Sequence, residues 1–242
     1  MSGESIRAYD VPTRVASYDA DMDLMHPNRH KMAQIIENVL ALSATPPRLV
    51  IDIGTGTGFL AGRLLRAFPD LRVIAIDGAH EMVDLARIRL GPLAQRVDFR
   101  VGDFRGLDAL CSNIDPVDAV VSSYAMHHLS SPDKLNVLRA AHGRLRPEGW
   151  FLNADLTLSE DDYLDTLTQQ LRVRGIVQRA NGLDTRFPDA TTTRRFLADM
   201  ERNEADQPLR PAEDSQLLQE AGFMHVTTWW RETRESVYGG MR

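Results

Sequence analysis

The stretch Leu49-Val50-Ile51-Asp52-Ile53-Gly54-Thr55-Gly56-Thr57-Gly58 governs how the rest of the chain is read. A short apolar, β-branched run without alternation suits a strand buried on both faces, as in a parallel sheet. It ends in a turn studded with glycines, which can bend through positive φ and let a ligand approach where a Cβ would collide. Leu60, Leu64, Ala67 and Phe68 then recur at helical spacing. A helix there aims its free N–H groups back at the turn, so the stretch reads as the entry to a nucleotide-type cofactor site.

The same strand-then-helix unit recurs downstream. Val73 to Asp77, Val97 to Val101, Asp118 to Ser122 and Trp150 to Leu156 read as four further buried strands, and helical patterns separate them. Upstream, a helical pattern from Asp21 breaks at His26-Pro27 and resumes from about Asn28 to Ser43, while residues 1 to about 20 are polar and expected to be partly mobile. Five alternations at short spacing imply a mainly parallel sheet covered on both sides. After Leu156 the alternation stops, and helices are expected over Ser159 to Arg179, Thr191 to Asn203 and Asp214 to Ala221. Two strands follow, Phe223 to Trp230 and Ser236 to Gly240. The expected fold is α/β: a Rossmann-like, doubly wound, mixed seven-stranded sheet with helices on both faces and a C-terminal antiparallel hairpin.

Which cofactor fits is argued from the strand ends, because ligands of such sheets bind outside the carboxyl ends where strand order reverses. The first three strands each end in an acid: Asp52, Asp77 and Asp103. One such acid is readily a helix cap, but three at successive strand ends suggest a site. Asp77 lies about twenty residues beyond the turn, where a carboxylate accepts both ribose hydroxyls. The glycines are spaced Gly54-x-Gly56-x-Gly58, which is not the G-x-G-x-x-G of nicotinamide enzymes. Asp52 beside the turn would repel a pyrophosphate but suits an ammonium group. An amino acid joined to adenosine matches that pattern better than a dinucleotide.

These residues resemble the class I S-adenosylmethionine (SAM)-dependent methyltransferases, motif by motif, from Arg48 to Leu156. Asp52-x-Gly54-x-Gly56-x-Gly58 is similar to the family's first motif, Asp77 to its ribose-binding acid, and Gly102-Asp103-Phe104 to its adenine-binding segment. Arg146-Pro147-Glu148-Gly149 resembles the turn into strand five, and Tyr238-Gly239-Gly240 part of the closing hairpin. The resemblance implies SAM as cofactor, contacted by Tyr18, Asp52, Gly54, Thr55, Gly56, Gly58, Asp77, Met82, Asp103, Phe104 and Ser122. It also implies one methyltransferase domain over 1–242, with residues 1–45 as a helical lid and 158–210 as a helical insertion that builds the acceptor pocket.

Tyr124, His127 and His128 follow strand four, in the segment that the resemblance places near the transferred methyl. His127 and His128 are the catalytic candidates, since imidazole titrates near neutrality; packing or substrate orientation is the other reading. The family's nucleic-acid amino-methyltransferases carry Asn or Asp, two prolines and an aromatic here, whereas this chain has Ser122-Ser123-Tyr124-Ala125. The expected acceptor is therefore a small metabolite, methylated on O, N or C. The alternatives are non-methylation chemistry on the same cofactor, such as making a carboxylated derivative or assisting a cyclisation, and a non-catalytic cofactor-binding subunit.

Bulk properties agree. A formal charge of −6 argues against a sequence-independent grip on nucleic acid. The lone Cys111 excludes an internal disulfide framework and disfavours a thiolate metal site. His26 and His30 stand at i, i+4, but Pro27 lies between them and no third ligand is evident, so no metal is expected. No apolar run is long enough to span a membrane and the N-terminus lacks a signal pattern, so a cytoplasmic protein is expected. Tyr163, Leu164, Leu167, Leu171, Val173 and Ile176 could line the acceptor pocket or a homodimer interface, with core packing expected for most. Arg172, Arg174 and Arg179 either neutralise an acidic acceptor or form a solvated helix face.

Overall fold

A computed structural model describes Ile6, Tyr9, Asp10 and residues 12–242, with side chains continuous from residue 17. The chain enters through α1 (Pro12–Met25) and α2 (Arg29–Ala41), which are followed by β1 (Leu49–Ile53), α3 (Phe59–Ala67), β2 (Arg72–Asp77), α4 (His80–Leu90) and β3 (Val97–Val101). Next come the single-turn α5 (Leu107–Leu110), β4 (Val117–Ser123), α6 (Ser131–Arg144) and β5 (Leu145–Leu156). Three helices then intervene: α7 (Asp162–Ala180), α8 (Ala190–Asn203) and α9 (Pro211–Glu220). The chain closes with β6 (Met224–Glu232) and β7 (Glu235–Met241).

The seven strands form one sheet in the order β3-β2-β1-β4-β5-β7-β6. β1 to β5 are parallel, and β7 inserts antiparallel between β5 and β6. Strand order reverses between β1 and β4, so the cleft opens where Ile53 and Ser122 stand side by side. The near-continuous apolar strands are explained by a core on each face. Met32, Ile36 and Leu40 of α2 and Leu60 and Leu64 of α3 cover one side. Val137, Leu138 and Ala141 of α6 and Leu218 of α9 cover the other. Each fully buried Ile or Leu contributes roughly 2 kcal/mol. A third, smaller core joins Met25 at the end of α1 to Val173, Ile176, Phe187 and Leu197, so the added helices sit over the same sheet edge as α1.

Helix ends follow their caps. Asp161 accepts from the Leu164 N–H, Asp189 from that of Thr192 and Ser130 from that of Asp133. Asn181 closes α7 in the left-handed region at φ 48°.

Two expectations are corrected. The helical pattern begins at Pro12, not Asp21, because the Asp19 carboxylate anchors α1 through Arg29, 2.7 Å away, and Arg89. The part of residues 1–11 other than Ile6, Tyr9 and Asp10 lies outside the described residues. Arg146 to Gly149 is not a turn before β5 but an irregularity inside it: Val117 pairs with Leu145, Ala119 with Trp150, and Glu148 takes φ 63°.

Candidate active site

The glycine turn takes the shape its composition predicts. Gly54, Gly56 and Gly58 have φ of 67°, 53° and 74°. A Cβ on Gly54 would lie 2.3 Å from that of Ala125, so β1 and the segment after β4 approach closely only because this residue has none. The N–H groups of Gly54 and Thr55 both donate to the Ile76 carbonyl, fastening the turn to β2.

The strand-end acids differ in their partners. Asp52 is 1% exposed; its Oδ2 accepts from the Thr55 hydroxyl at 2.7 Å, while Oδ1 has no partner. Burial pushes its carboxyl up to about 7, against the Thr55 hydrogen bond. A buried carboxylate in this state has room for one further donor. Asp77 accepts from the N–H groups of Gly56 and Ala79 at 2.8 and 2.9 Å, which orients the carboxylate beside the turn. Asp103 is gripped by the Arg105 guanidinium and backbone. Burial opposes ionisation there, but those hydrogen bonds hold its carboxyl below the usual range.

The other predicted cofactor residues fall around the same turn. Met82 is buried with Ala79, and Tyr18 and Tyr9 pack on that pair. Phe104 is fully buried beneath the turn, so its ring supports Gly54 from below. The Ser122 hydroxyl donates to the Ile53 carbonyl at 3.0 Å, locking β4 to β1 at the cleft. Above, the Thr57 hydroxyl donates to Asp19, and the Arg29 guanidinium stacks 3.8 Å over the Phe59 ring. With α1 seated in this way the space left at the turn is about 20 Å³, the volume of about one water.

A second, larger cavity of about 320 Å³ opens on the other side of α1. Met22, Met25, Leu156 and Phe196 give it apolar walls, and Tyr124, His127, Arg172, Glu204 and Asp206 supply polar ones. His127 is 4% exposed. Its backbone N–H donates to Asp155 Oδ2 at 3.0 Å, its Nδ1 bonds Asp155 Oδ1 at 2.5 Å, and its Nε2 lies 3.6 Å from Asp206. Burial alone would lower its pKa; the Asp155 and Asp206 carboxylates overcome that and push it up to about 9. His128 sits 2.9 Å from Asp206 without the alignment of a hydrogen bond, and burial lowers its pKa. Donor atoms of His127, His128 and Asp206 lie within 4.8 Å of one another. An imidazolium at His127, flanked by Asp155 and Asp206, already supplies positive charge to this group. His127 and His128 therefore play different parts.

His26 and His30 do not form a pair. α1 ends at Met25 and α2 begins at Arg29, which breaks the helical spacing. His26 is buried against Glu235, whereas His30 is exposed and faces Asp23. Glu235 also accepts from the Tyr124 hydroxyl at 2.6 Å and the Asn28 amide at 2.8 Å, fixing the His26-Pro27-Asn28 corner to β7. Of the six α7 residues considered for the acceptor pocket, Val173 and Ile176 pack into the core, together with Ala180. Tyr163, Leu164, Leu167 and Leu171 are exposed, because α8 and α1 cover only the opposite side of the helix.

The sequence reading missed Asp155, Glu204, Asp206 and Glu235. Asp155 had a signal: it is the last residue but one of β5, as the other acids lie at the ends of their strands. The remaining three come from the insertion and the hairpin, where no motif marks them.

Residues 50–149 match the model of a methyltransferase domain. An uncharacterized methyltransferase of Bacillus cereus is 32% identical over 139 residues, 57% of this chain and 61% of that relative. The chain thus spans about three fifths of the length of the curated relatives it matches. Among solved structures, an O-methyltransferase family protein from Burkholderia thailandensis aligns with TM-score 0.66 at 19% identity, covering 94% of this chain and 59% of that one. Human N-acetylserotonin methyltransferase in complex with SAM aligns at 0.64 with 18% identity, covering 99% and 59%. No helix among the described residues is long and apolar enough to cross a membrane. On this ordered agreement of motif, sheet topology and domain match, residues 50–149 form a methyltransferase domain, set in the Rossmann-like sheet also seen in S-adenosylmethionine-binding methyltransferases.

Proposed function

We propose that this protein methylates a hydroxyl oxygen of a small molecule held in the cavity beside α1, with His127 as general base. The observation that carries the reading is the buried imidazole tied at Nδ1 to Asp155, on the wall of that cavity. An Nδ1–H donating to a carboxylate fixes the tautomer and leaves Nε2 as the accepting atom.

Bound SAM supplies a methyl carbon on a sulfonium, whose displacement leaves a neutral thioether. The chain's own residues align the acceptor, exclude water and move one proton. The acceptor hydroxyl gives its proton to His127 Nε2 as the oxygen takes the methyl carbon. A proton affinity near 9 is matched to an acidic hydroxyl such as a phenol, whose ordinary pKa is about 10. Met22, Met25, Leu156 and Phe196 give the site the apolar lining that suits a ring.

The cofactor contacts belong to the same reading. Asp52 faces the ammonium, Asp77 the ribose hydroxyls and the Asp103 segment the adenine, with Met82 and Phe104 packing nearby. With space for about one water at the turn beside Asp52, α1 lifts to admit the methionine end of the cofactor. Residues 1–45 then act as the lid, with Asp19 as its latch, and 158–210 complete the acceptor cavity within one domain. A cytoplasmic place of work fits this assignment. A homodimer, if formed, covers the exposed Tyr163, Leu164, Leu167 and Leu171 stripe of α7, which sedimentation velocity tests.

The deciding experiment is calorimetry with SAM and its demethylated product, followed by a screen of hydroxylated aromatics with methyl-labelled cofactor. His127→Gln is expected to bind the cofactor as the wild type does and to lose roughly 10²–10⁴ in turnover. Absence of cofactor binding defeats the methyltransferase reading, and a fully active His127→Gln defeats the base.

A further inference from the structure

Arg172 is the cavity's least satisfied polar group. Its side chain is 7% exposed and its Nη1 is paired with Glu201 at 2.8 Å. Its Nε and Nη2 have no partner and no contact with solvent. Those two nitrogens form the side-on fork of the guanidinium, two near-parallel N–H donors that match one carboxylate. Buried guanidinium donors left in this state cost free energy unless something else occupies them.

The surroundings explain why the missing partner does not come from the chain. Arg172 stands on the wall shared by the 320 Å³ cavity and a neighbouring one of about 140 Å³. Arg179 and Arg234 face the second cavity too. The acids nearby are already engaged. Glu201 is divided among Arg172, Arg194 and Arg234, and Glu235 is held by His26, Asn28 and Tyr124. In the larger cavity Asp21 is bound by Arg186, Glu204 accepts from the Tyr9 hydroxyl, and Asp206 lies between the two histidines. Arg174, two residues along α7, is exposed and has none of these features.

We infer that Arg172 is a substrate-binding residue and that the acceptor carries a carboxylate, seated on Nε and Nη2 while its hydroxyl faces His127. The inference rests on the hydroxyl-methylation reading above and adds the substrate class: hydroxy acids, aromatic ones above all, in preference to their neutral esters and amides. The fork sets one end of the acceptor and the imidazole sets the other, so the spacing between carboxylate and hydroxyl becomes the selected feature.

The test uses the full chain with the demethylated cofactor present for binding and SAM for turnover. The probes are 4-hydroxybenzoate, 4-hydroxyphenylacetate and 4-hydroxycinnamate, each beside its methyl ester. The expected result is that at least one acid binds and is methylated with kcat/KM about a hundredfold or more above that of its ester. Arg172→Lys keeps a cation for Glu201 but removes the fork. It is expected to raise KM for the acid about a hundredfold with kcat within a few fold, and so to abolish the preference for the acid over its ester. Arg172→Met controls for charge, and thermal denaturation of both variants identifies any loss of fold. Acids that bind no better than esters, or an acid preference that survives in a folded Arg172→Lys, overturn the inference. Either result can occur with methylation of neutral hydroxyls intact, whereas loss of cofactor binding strikes the parent reading instead.

Discussion

Replacing Asp155 by Asn separates a base from a packed histidine. In the wild type the carboxylates of Asp155 and Asp206 hold His127 at about 9 against the opposing effect of burial. The rise from the ordinary 6.5 to about 9 corresponds to about 3 kcal/mol of preference for the imidazolium. Only the neutral imidazole takes a proton, so kcat/KM should climb roughly tenfold per pH unit up to about 9 and then level off. Asparagine removes the main charge holding the proton, and the acid limb should move to about pH 6.5 or below. Its amide also fixes the tautomer poorly, which lowers the plateau by roughly 10²–10³. The two effects oppose each other at low pH. The variant's deficit should therefore shrink about a hundredfold between about pH 9.5 and pH 6.5, because the wild type is almost wholly protonated at the lower value. The assay is initial-rate methyl transfer from about pH 6 to 10 with a chelator present throughout, which should leave the wild type unaffected. Stability gives an independent reading of the same group. A pKa raised on folding contributes stability that is complete below 6.5 and is lost as pH rises through 9. The wild type should lose about 3 kcal/mol of that contribution by about pH 9.5, and Asp155→Asn most of that slope. A deficit that is constant across pH, with the acid limb unmoved, refutes the assignment of that limb to His127. Inactivation by the chelator refutes it too.

Three further outcomes are expected. Because burial pushes Asp52 up to about 7, cofactor affinity should strengthen by up to about tenfold per pH unit as pH rises to 7 and then flatten; calorimetry on Asp52→Asn should show weaker binding without that dependence. Gly54→Ala places a Cβ against Ala125 at a left-handed φ, so chemical denaturation should report a loss of roughly 2–4 kcal/mol, and cofactor binding should fail even where the fold survives. Lys134 and Asp214 form a buried pair at 2.9 Å between α6 and α9. Lys134→Met alone should cost about 3–5 kcal/mol, whereas Lys134→Met with Asp214→Leu should recover most of the loss; equal losses in both, measured by denaturant unfolding, would show that packing outweighs the charge.

The half of the molecule that was legible in sequence is the half in which neighbours in space are set by topology. Once β1 to β5 alternate with helices, the right-handed crossover rule brings Asp52, Asp77 and Asp103 to one edge without knowledge of any side-chain contact. The acceptor side has no such rule. Its walls come from Tyr9, α1, the turn after β4, the end of β5, α7 and α8, and their convergence depends on how the insertion docks. Arg172 and Arg174 illustrate the difficulty: equal in sequence, they differ in the structure because α7 turns one toward Glu201 and the other to solvent. For His26 and His30 the sequence already carried the reason: the i, i+4 spacing has meaning only on an unbroken helix, and Pro27 stands between them.

The acids at the sheet edge share a position and little else, and the difference among them explains the division of labour. Asp77 is satisfied by backbone N–H groups and Asp103 by Arg105, so both are fixed in place before any ligand arrives. Asp52 keeps one oxygen unpartnered in a buried site and is raised to about 7, which in the proposed reaction leaves it to take the ammonium of the cofactor. Asp155 takes the remaining course. It commits its charge to a histidine of the same chain and thereby turns a group that burial would neutralise into one that holds a proton to about 9. Moving from β2 through β1 to β5, the carboxylate thus changes from anchored acceptor, to host for an incoming cation, to partner of an internal one. The cation-hosting end faces the glycine turn and the histidine end faces the acceptor cavity, with β4 and Tyr124 between them. The proposed transfer, which begins at a positively charged donor and ends with a proton to remove, would use that order of charges along one edge of the sheet.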